Sequence, residues 1–254
     1  MFNCCGMTEL AGCLTTTSIF DRNFNTIGGV LPCARMQLRD LPHLKFYTDS
    51  NPPIGEVYLK GNSCFKGYFK NPKLTAETID SDGWLKVGDV GILRKNGSIE
   101  IVDRVQEMKK LQNGQFISPS KLEGHFITAP MVDQLCIIID SRYMFLTAVI
   151  HLHSEKLQQF ADVNGFKQPL KELLKIKDVE IGVLKQLERI AKDHGLSEIE
   201  QIKRVVFAPE PFSFANGCLT NTNKMIRSAI GAKYAEGLKE AYTSDLVLPY
   251  KVFD

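Results

Sequence analysis

The sequence has no Cys-x-x-C pair, a single tryptophan, no long uninterrupted apolar run and almost no net charge. Each absence removes a class of protein. Thirty-one Lys and Arg against 29 Asp and Glu leave a net charge of +2, too weak a field to recruit nucleic acid or an anionic membrane by charge alone. The longest apolar stretch, Met131 to Leu152, is interrupted by Asp133, Asp140 and Arg142, which excludes a bilayer-spanning helix there. The seven cysteines, at positions 4, 5, 13, 33, 64, 136 and 218, are odd in number and come with no secretory leader. They are expected to be reduced thiols in an intracellular chain. No internal repeat and no low-complexity tract is present. What remains is ordinary globular composition, 44% hydrophobic over 254 residues, enough for one large or two modest cores.

Two regions of different character follow one another. From about Gly6 to Arg104 the chain runs in short β-rich pieces punctuated by Gly, Pro and Asn; from about Glu155 onward helical periodicity takes over. Residues 55–61 alternate as a half-buried strand. Residues 88–94 and 98–102 flank Asn96 and Gly97, a hairpin signal because that dipeptide accepts φ > 0. A small antiparallel sheet or barrel is expected. The Asn96 to Ser98 sequon carries no weight beside this turn. Further on, residues 135–139 and 145–151 read as two strands around a turn at Asp140, Ser141 and Arg142, and Ser154 is placed to cap a helix through Ala161. Ile181, Leu184, Leu187 and Ala191 recur at helical steps, with Asp178 as the expected cap and Gly195 as the terminator. Ile226, Ile230, Tyr234 and Leu238 at i+4 steps predict a last helix over 225–241, with Lys224 at its entrance.

Several polar clusters offer chemistry. Gly6, Met7, Thr8 and Glu9 present backbone N–H groups, a hydroxyl for a phosphate and a carboxylate for Mg²⁺, although the same residues also suit a helix start capped by Thr8. Asp89, after Gly88 and downstream of Trp84, has the two acceptor oxygens needed for a pair of ribose hydroxyls, or forms a plain turn. Lys224 follows small polar residues and either carries charge to a phosphate or is simply solvated. His151 and His153 share one strand face, but no ligand spacing completes a metal site around them.

The order and spacing of these clusters together resemble the successive motifs of the adenylate-forming superfamily, which includes acyl-CoA synthetases, firefly luciferase and peptide-synthetase adenylation domains. Gly6 to Glu9 is similar to the family's Y-G-x-T-E. Gly55 and Glu56, then Gly67, Tyr68, Pro72, Thr75 and Glu77, resemble its G-E-x-x-x-x-G and G-Y-x-x-x-P-x-x-T-x-E stretch. Gly83, Trp84, Gly88 and Asp89 look like G-W-x-x-T-G-D. Asp103, Arg104, Lys110, Leu111, Gly114, Pro119, Lys121, Leu122 and Glu123 resemble the D-R to K-L-x-x-G to P-x-K-I-E segment, and residues 216–224 the N-G-L-L-T-P-T-x-K that bears a catalytic lysine. The stretch from Phe160 to Phe212 resembles the long-chain fatty acyl-CoA synthetase branch in particular.

That resemblance implies an α+β protein. Residues 1–102 would be the end of the adenylation domain, closing as a small antiparallel β-barrel or sheet; 103–108 would be a hinge linker, and 109–254 a mobile α+β C-terminal lid. It implies ATP-dependent ligation of a long-chain fatty acid to coenzyme A through an acyl-AMP, with release of AMP and pyrophosphate. Gly6, Met7, Thr8, Asp89 and Arg104 would bind the nucleotide, Glu9 would hold Mg²⁺, and Lys224 would stabilise charge on the α-phosphate and acyl carboxylate. Asp103 and Gln106 would serve the hinge, and Lys110 and Gly114 the lid surface that admits coenzyme A. Fatty acid, ATP and coenzyme A are the implied partners, with no nucleic acid.

Cys5 stands where the family has a tyrosine that stacks on adenine, and Val87 replaces the threonine beside Gly88, removing a hydroxyl. No Ser/Thr/Gly-rich phosphate loop precedes Gly6, and the part of the family that lines the acyl tunnel is not present either. The isolated chain is therefore expected to be inactive in adenylation, either as a piece of a complete ligase or as a non-catalytic nucleotide- or coenzyme A-binding remnant; a ligase for another class of acid is the remaining alternative. The expected location is the cytoplasm or the cytosolic face of endoplasmic reticulum or peroxisome, with membrane association only through an N-terminal segment not contained here. Residues 251–254 offer no Ser-Lys-Leu-like peroxisomal tail.

Overall fold

A computed structural model of the chain describes residues 3–19 and 25–243; residues 251–254 lie outside them. The chain divides into two compact units, Met1–Met108 and Lys109–Asp254.

The first unit is mainly β. Strands β1 (Cys4–Met7), β2 (Gly12–Thr16) and β3 (Gly29–Val30) form one antiparallel sheet. Strands β4 (Ala34–Arg39), β5 (Ile54–Gly61), β6 (Leu85–Leu93) and β7 (Ile99–Arg104) form a second in sequential order, with helix α1 (Pro72–Thr78) between β5 and β6. Asn71 caps α1 by accepting a hydrogen bond from the Leu74 N–H at 3.1 Å. The expected hairpin is β6 and β7: Asn96 Oδ1 accepts from both the backbone N–H and the hydroxyl of Ser98, at 3.1 and 2.7 Å, and Gly97 takes φ +81°. Asn96 is thus a turn residue. The barrel alternative is not realised. Four strands do not close around a core, and β4 and β7 stay as the edges of an open sheet. Leu10, Leu14, Val57, Leu59, Leu85 and Ile99 make the core of this unit.

The second unit is α+β. A two-stranded ribbon, β8 (Lys109–Lys110) and β9 (Phe116–Ile117), leads into helix α2 (Pro119–Phe126), capped by Ser118. Strands β10 (Val132–Ile138) and β11 (Leu146–Leu152) pair antiparallel, as their flanking turn predicts. Helices α3 (Ser154–Asn164), α4 (Leu170–Leu173) and α5 (Lys177–Asp193) then cross to strand β12 (Ile202–Phe207), which pairs parallel to β11. Strand β11 is central and buried on both faces. Leu146, Ala148 and Ile150 face the cluster containing α2, α3 and α5, while Val149 faces a second cluster with Cys136, Phe212 and Ile230. A strand covered on both sides reads as nearly continuous apolar sequence.

Three helix expectations are corrected. Ser154 is the first residue of α3 and His153 the cap position, with no side-chain capping bond; the helix runs on to Asn164 and ends at Gly165 in the left-handed region. Asp178 lies within the first turn of α5, where its charge favours the helix dipole, and Ile176 holds the cap position. The face of α5 that is buried is Val179, Val183, Leu184, Leu187 and Ala191, with Ile181 at its half-buried margin. The single last helix is two, α6 (Arg227–Lys233) and α7 (Ala235–Thr243), broken at Tyr234. The break lets α6 lie on β10 and α7 on β12. At Gly237 a Cβ would stand 3.0 Å from Val206, which shows how closely α7 approaches the sheet.

Candidate functional site

Within the first unit, three segments distant in sequence meet. Asp89 sits on β6 directly across from Arg104 on β7, and Arg104 Nε lies 3.2 Å from Asp89 Oδ1. Asp89 is 14% exposed and Arg104 62%, so the carboxylate is sheltered while its cation faces solvent. Gly88 makes this placement possible: its φ of +81° is costly for a residue with a side chain, and its carbonyl accepts from the Val105 N–H at 2.9 Å. The third segment is β1. Burial pushes the Cys5 thiol up to about 11, the negative charge of Asp89 adds to the rise, and Arg104 opposes it. Cys5 therefore shares one electrostatic environment with the ion pair.

After Cys5 the chain passes through Gly6 and Met7 into a single 3-10 turn, Thr8–Leu10. Thr8 opens this turn and does not cap it: Met7 is the cap residue, without a side-chain bond. Thr8 is exposed, Glu9 half-buried and Leu10 fully buried, so Leu10 anchors the turn while its two polar neighbours stay near the surface. Glu9 accepts a 2.7 Å hydrogen bond from the Tyr68 hydroxyl, which raises the Tyr68 phenol, and its carbonyl accepts from the Phe65 N–H at 2.8 Å. Tyr68 is held by Thr75, whose hydroxyl accepts from its N–H at 2.9 Å, and by an edge-on contact with Phe65 at 4.8 Å. The sequence assigns Tyr68 no partner. Its signal is the Gly67-Tyr68 motif alone.

Asp103 and Arg104 are the last residues of β7, with Asp103 buried and its Oδ1 accepting from the Arg104 N–H at 2.7 Å. Gln106 is exposed in the tight turn that follows, where Glu107 and Met108 N–H groups both donate to the Arg104 carbonyl.

In the second unit Lys110 is exposed on β8, its Nζ 5.8 Å from the Phe116 ring centroid, and Gly114 takes φ +84° in the turn between β8 and β9. Lys224 is exposed at the end of a closed turn. Its N–H donates to Thr220 Oγ1 at 3.0 Å, its carbonyl accepts from the Thr220 N–H at 2.8 Å, and Asn223 adopts φ +59°. The backbone of Lys224 is pinned and its ammonium is left to solvent. Asn223 and Met225, on either side of it, line a cavity of about 490 Å³ with Asp133, Gln134 and Phe212.

Three residues past Lys224, Arg227 opens α6 and turns inward. Its guanidinium donates to both oxygens of Glu123 on α2, to one of them at 3.1 Å, and to the Ile137 carbonyl at 2.7 Å, while the Ile137 N–H donates to Glu123 at 2.7 Å. The side chains are 14% and 8% exposed. The sequence does not single out Arg227; its signal is a charge three residues before Ile230, on the same face of α6. His151 Nδ1 lies 3.0 Å from the Ala208 carbonyl, and both His151 and His153 approach Asp133. Among the described residues no group of three or more potential ligands could hold a metal ion, and no helix is long and apolar enough to cross a membrane.

No protein-family model matches the chain. Among curated proteins it is similar to long-chain-fatty-acid–CoA ligase 5 of Mus musculus, 35% identical over 244 residues, which cover 96% of this chain and 35% of that protein. It is likewise 35% identical over 240 residues to long-chain-fatty-acid–CoA ligase 1 of Homo sapiens, covering 94% of this chain and 34% of that one. Among solved structures it is similar to the A domain of carboxylic acid reductase from Segniliparus rugosus in complex with AMP and a co-purified carboxylic acid, with a TM-score of 0.79, 28% identity, and coverage of 95% of this chain and 35% of that chain. The chain spans about a third of the length of the curated relatives it matches.

Proposed function

Because this chain belongs to the long-chain fatty acid–CoA ligase family of adenylate-forming enzymes, of whose length it spans about a third, we propose that it contributes the ribose-binding face and the mobile lysine of such a ligase. The reaction joins a fatty acid to coenzyme A at the expense of ATP, through an acyl-AMP, releasing AMP and pyrophosphate. Asp89 accepts hydrogen bonds from the two ribose hydroxyls, a role suited to a carboxylate with two acceptor oxygens. Arg104, steered by Asp89 yet open to solvent, donates toward the ribose or the phosphate. The Gly6 and Met7 backbone and the exposed Thr8 hydroxyl meet the phosphate.

Glu9 fits the requirement for a divalent cation in part. It offers a single half-buried carboxylate, and Mg²⁺ characteristically takes one or two carboxylates and completes its octahedron with phosphates and water. When bound, Mg²⁺ would neutralise phosphate charge. Tyr68 would then fix the orientation of Glu9. Lys224 supplies a compact positive charge where negative charge builds during adenylation. Residues 103–108, with Asp103 and Gln106, act as the hinge, and Lys110 and Gly114 belong to the face that meets coenzyme A in the second half-reaction.

The observation that carries this reading is the sheltered Asp89 carboxylate paired across the β6–β7 ladder with an exposed Arg104, both charges being felt by the Cys5 thiol. The AMP found in the carboxylic acid reductase domain supports it. Calorimetric titration of the folded chain with AMP tests it: saturable binding that Asp89→Asn weakens roughly 10- to 100-fold is expected, and no binding by the folded chain overturns the reading.

A further inference from the structure

Cys4 and Cys13 lie on β1 and β2 with both side chains exposed and their sulfurs 2.9 Å apart. The register sets Gly6 opposite Cys13, with a bulge between Cys5 and Gly6. A Cβ at Gly6 would stand 3.0 Å from the Cys13 sulfur. The missing side chain leaves the room in which that sulfur reaches along the ladder to Cys4. The other thiols are placed differently: Cys136 and Cys218 are buried, Cys5 and Cys64 half-buried, and Cys33 exposed in the stretch between β3 and β4.

We propose that Cys4 and Cys13 are a redox-active dithiol that hydroperoxides convert to an intrachain disulfide. One thiolate attacks a peroxide oxygen, the O–O bond breaks, and the departing hydroxide takes up a proton as water, leaving a sulfenic acid. The second sulfur then attacks the first, the S–S bond forms, and the hydroxyl leaves as a second water with the remaining thiol proton. Hydrogen peroxide is reduced by two electrons and the two thiols are oxidised by two. A dithiol reductant reverses the change. The bridge closes a ring around Gly6, Thr8 and Glu9, so oxidation tethers the turn that the first unit presents there. Selectivity follows from exposure and contact: Cys13 donates to Cys4 and is thereby held protonated, which makes Cys4 the attacking sulfur and Cys13 the resolving one, while the Cys5 thiol on the same strand is held protonated by burial and by Asp89.

Peptide mapping by mass spectrometry, after peroxide treatment and alkylation of the residual thiols, tests this on the chain as it stands. Expected are loss of two of the seven thiols, a cross-linked peptide pair containing Cys4 and Cys13 that is about 2 Da lighter than its reduced components, and full recovery with dithiothreitol. Cys4→Ser or Cys13→Ser should abolish the link and Cys33→Ser should leave it. The wild-type map decides the matter even if a variant folds poorly. Both cysteines remaining alkylatable, each becoming a sulfinic acid without a cross-link, or each linking to other cysteines would overturn the proposal. Failure of AMP binding would leave it untouched.

Discussion

Arg104 reaches Asp89 across the β6–β7 ladder, its Nε 3.2 Å from Oδ1, with the carboxylate sheltered and the guanidinium open to solvent. An ion pair with one exposed partner is screened and contributes little to stability, on the order of 0–1 kcal/mol. Its arrangement instead leaves a preoriented carboxylate and a mobile cation. Asp89→Asn should therefore change unfolding stability by no more than about 1 kcal/mol while weakening AMP binding roughly 10- to 100-fold, the usual worth of hydrogen bonds to a charged group. Calorimetry and urea titration on the same preparation check both halves.

The Arg227–Glu123 pair should behave oppositely. Both side chains are largely buried and multiply hydrogen-bonded, so Arg227→Ala leaves the Glu123 carboxylate without its cation inside the second unit, at a cost on the order of 3–5 kcal/mol. Replacing both residues with apolar ones of similar volume should recover much of that loss. Urea unfolding followed by circular dichroism distinguishes the single from the double variant.

Lys224 makes its contacts through its backbone, and its side chain is exposed. Lys224→Ala should leave stability within about 0.5 kcal/mol. In a chain extended to the full length of its relatives, the same substitution should cripple acyl-AMP formation and spare thioester formation from supplied acyl-AMP. Separate assays of the two half-reactions decide, and equal loss of both steps would count against the role given to the lysine.

Cys5 imposes a pH signature. Its folded thiol is raised to about 11 by burial first and the Asp89 charge second. The folded state thus keeps a proton that the unfolded chain releases at lower pH, so the contribution of Cys5 is intact below the ordinary thiol range and is lost as pH rises toward about 11. Thermal unfolding measured across that alkaline window should show a decline that Cys5→Ser flattens, and at neutral pH Cys33 should be alkylated before Cys5.

Much of the fold is legible from local chemistry. Asn96 and Gly97 announce the β6–β7 hairpin, the 3- and 4-residue apolar steps announce α5, and the turn at Asp140 to Arg142 announces the pairing of β10 with β11. The break at Tyr234 is not legible, because Ile226, Ile230, Tyr234 and Leu238 keep helical spacing straight through it; the geometry of the sheet beneath decides where the helix divides. That the first unit's sheet stays open is a tertiary matter as well, invisible to alternation within strands. At the site, the candidate residues could be named from type and order, but the Tyr68–Glu9 and Arg227–Glu123 bonds join positions 59 and 104 residues apart, and no local pattern encodes a contact at that range.

The guanidinium of Arg227 ties the start of α6 to α2 and to β10 just after the closed turn that ends at Lys224. The lysine is thereby mounted on the framework of its own unit and not on a freely waving loop. Within that unit the ammonium is left the reach of its own four-carbon side chain, while its backbone stays fixed to Thr220.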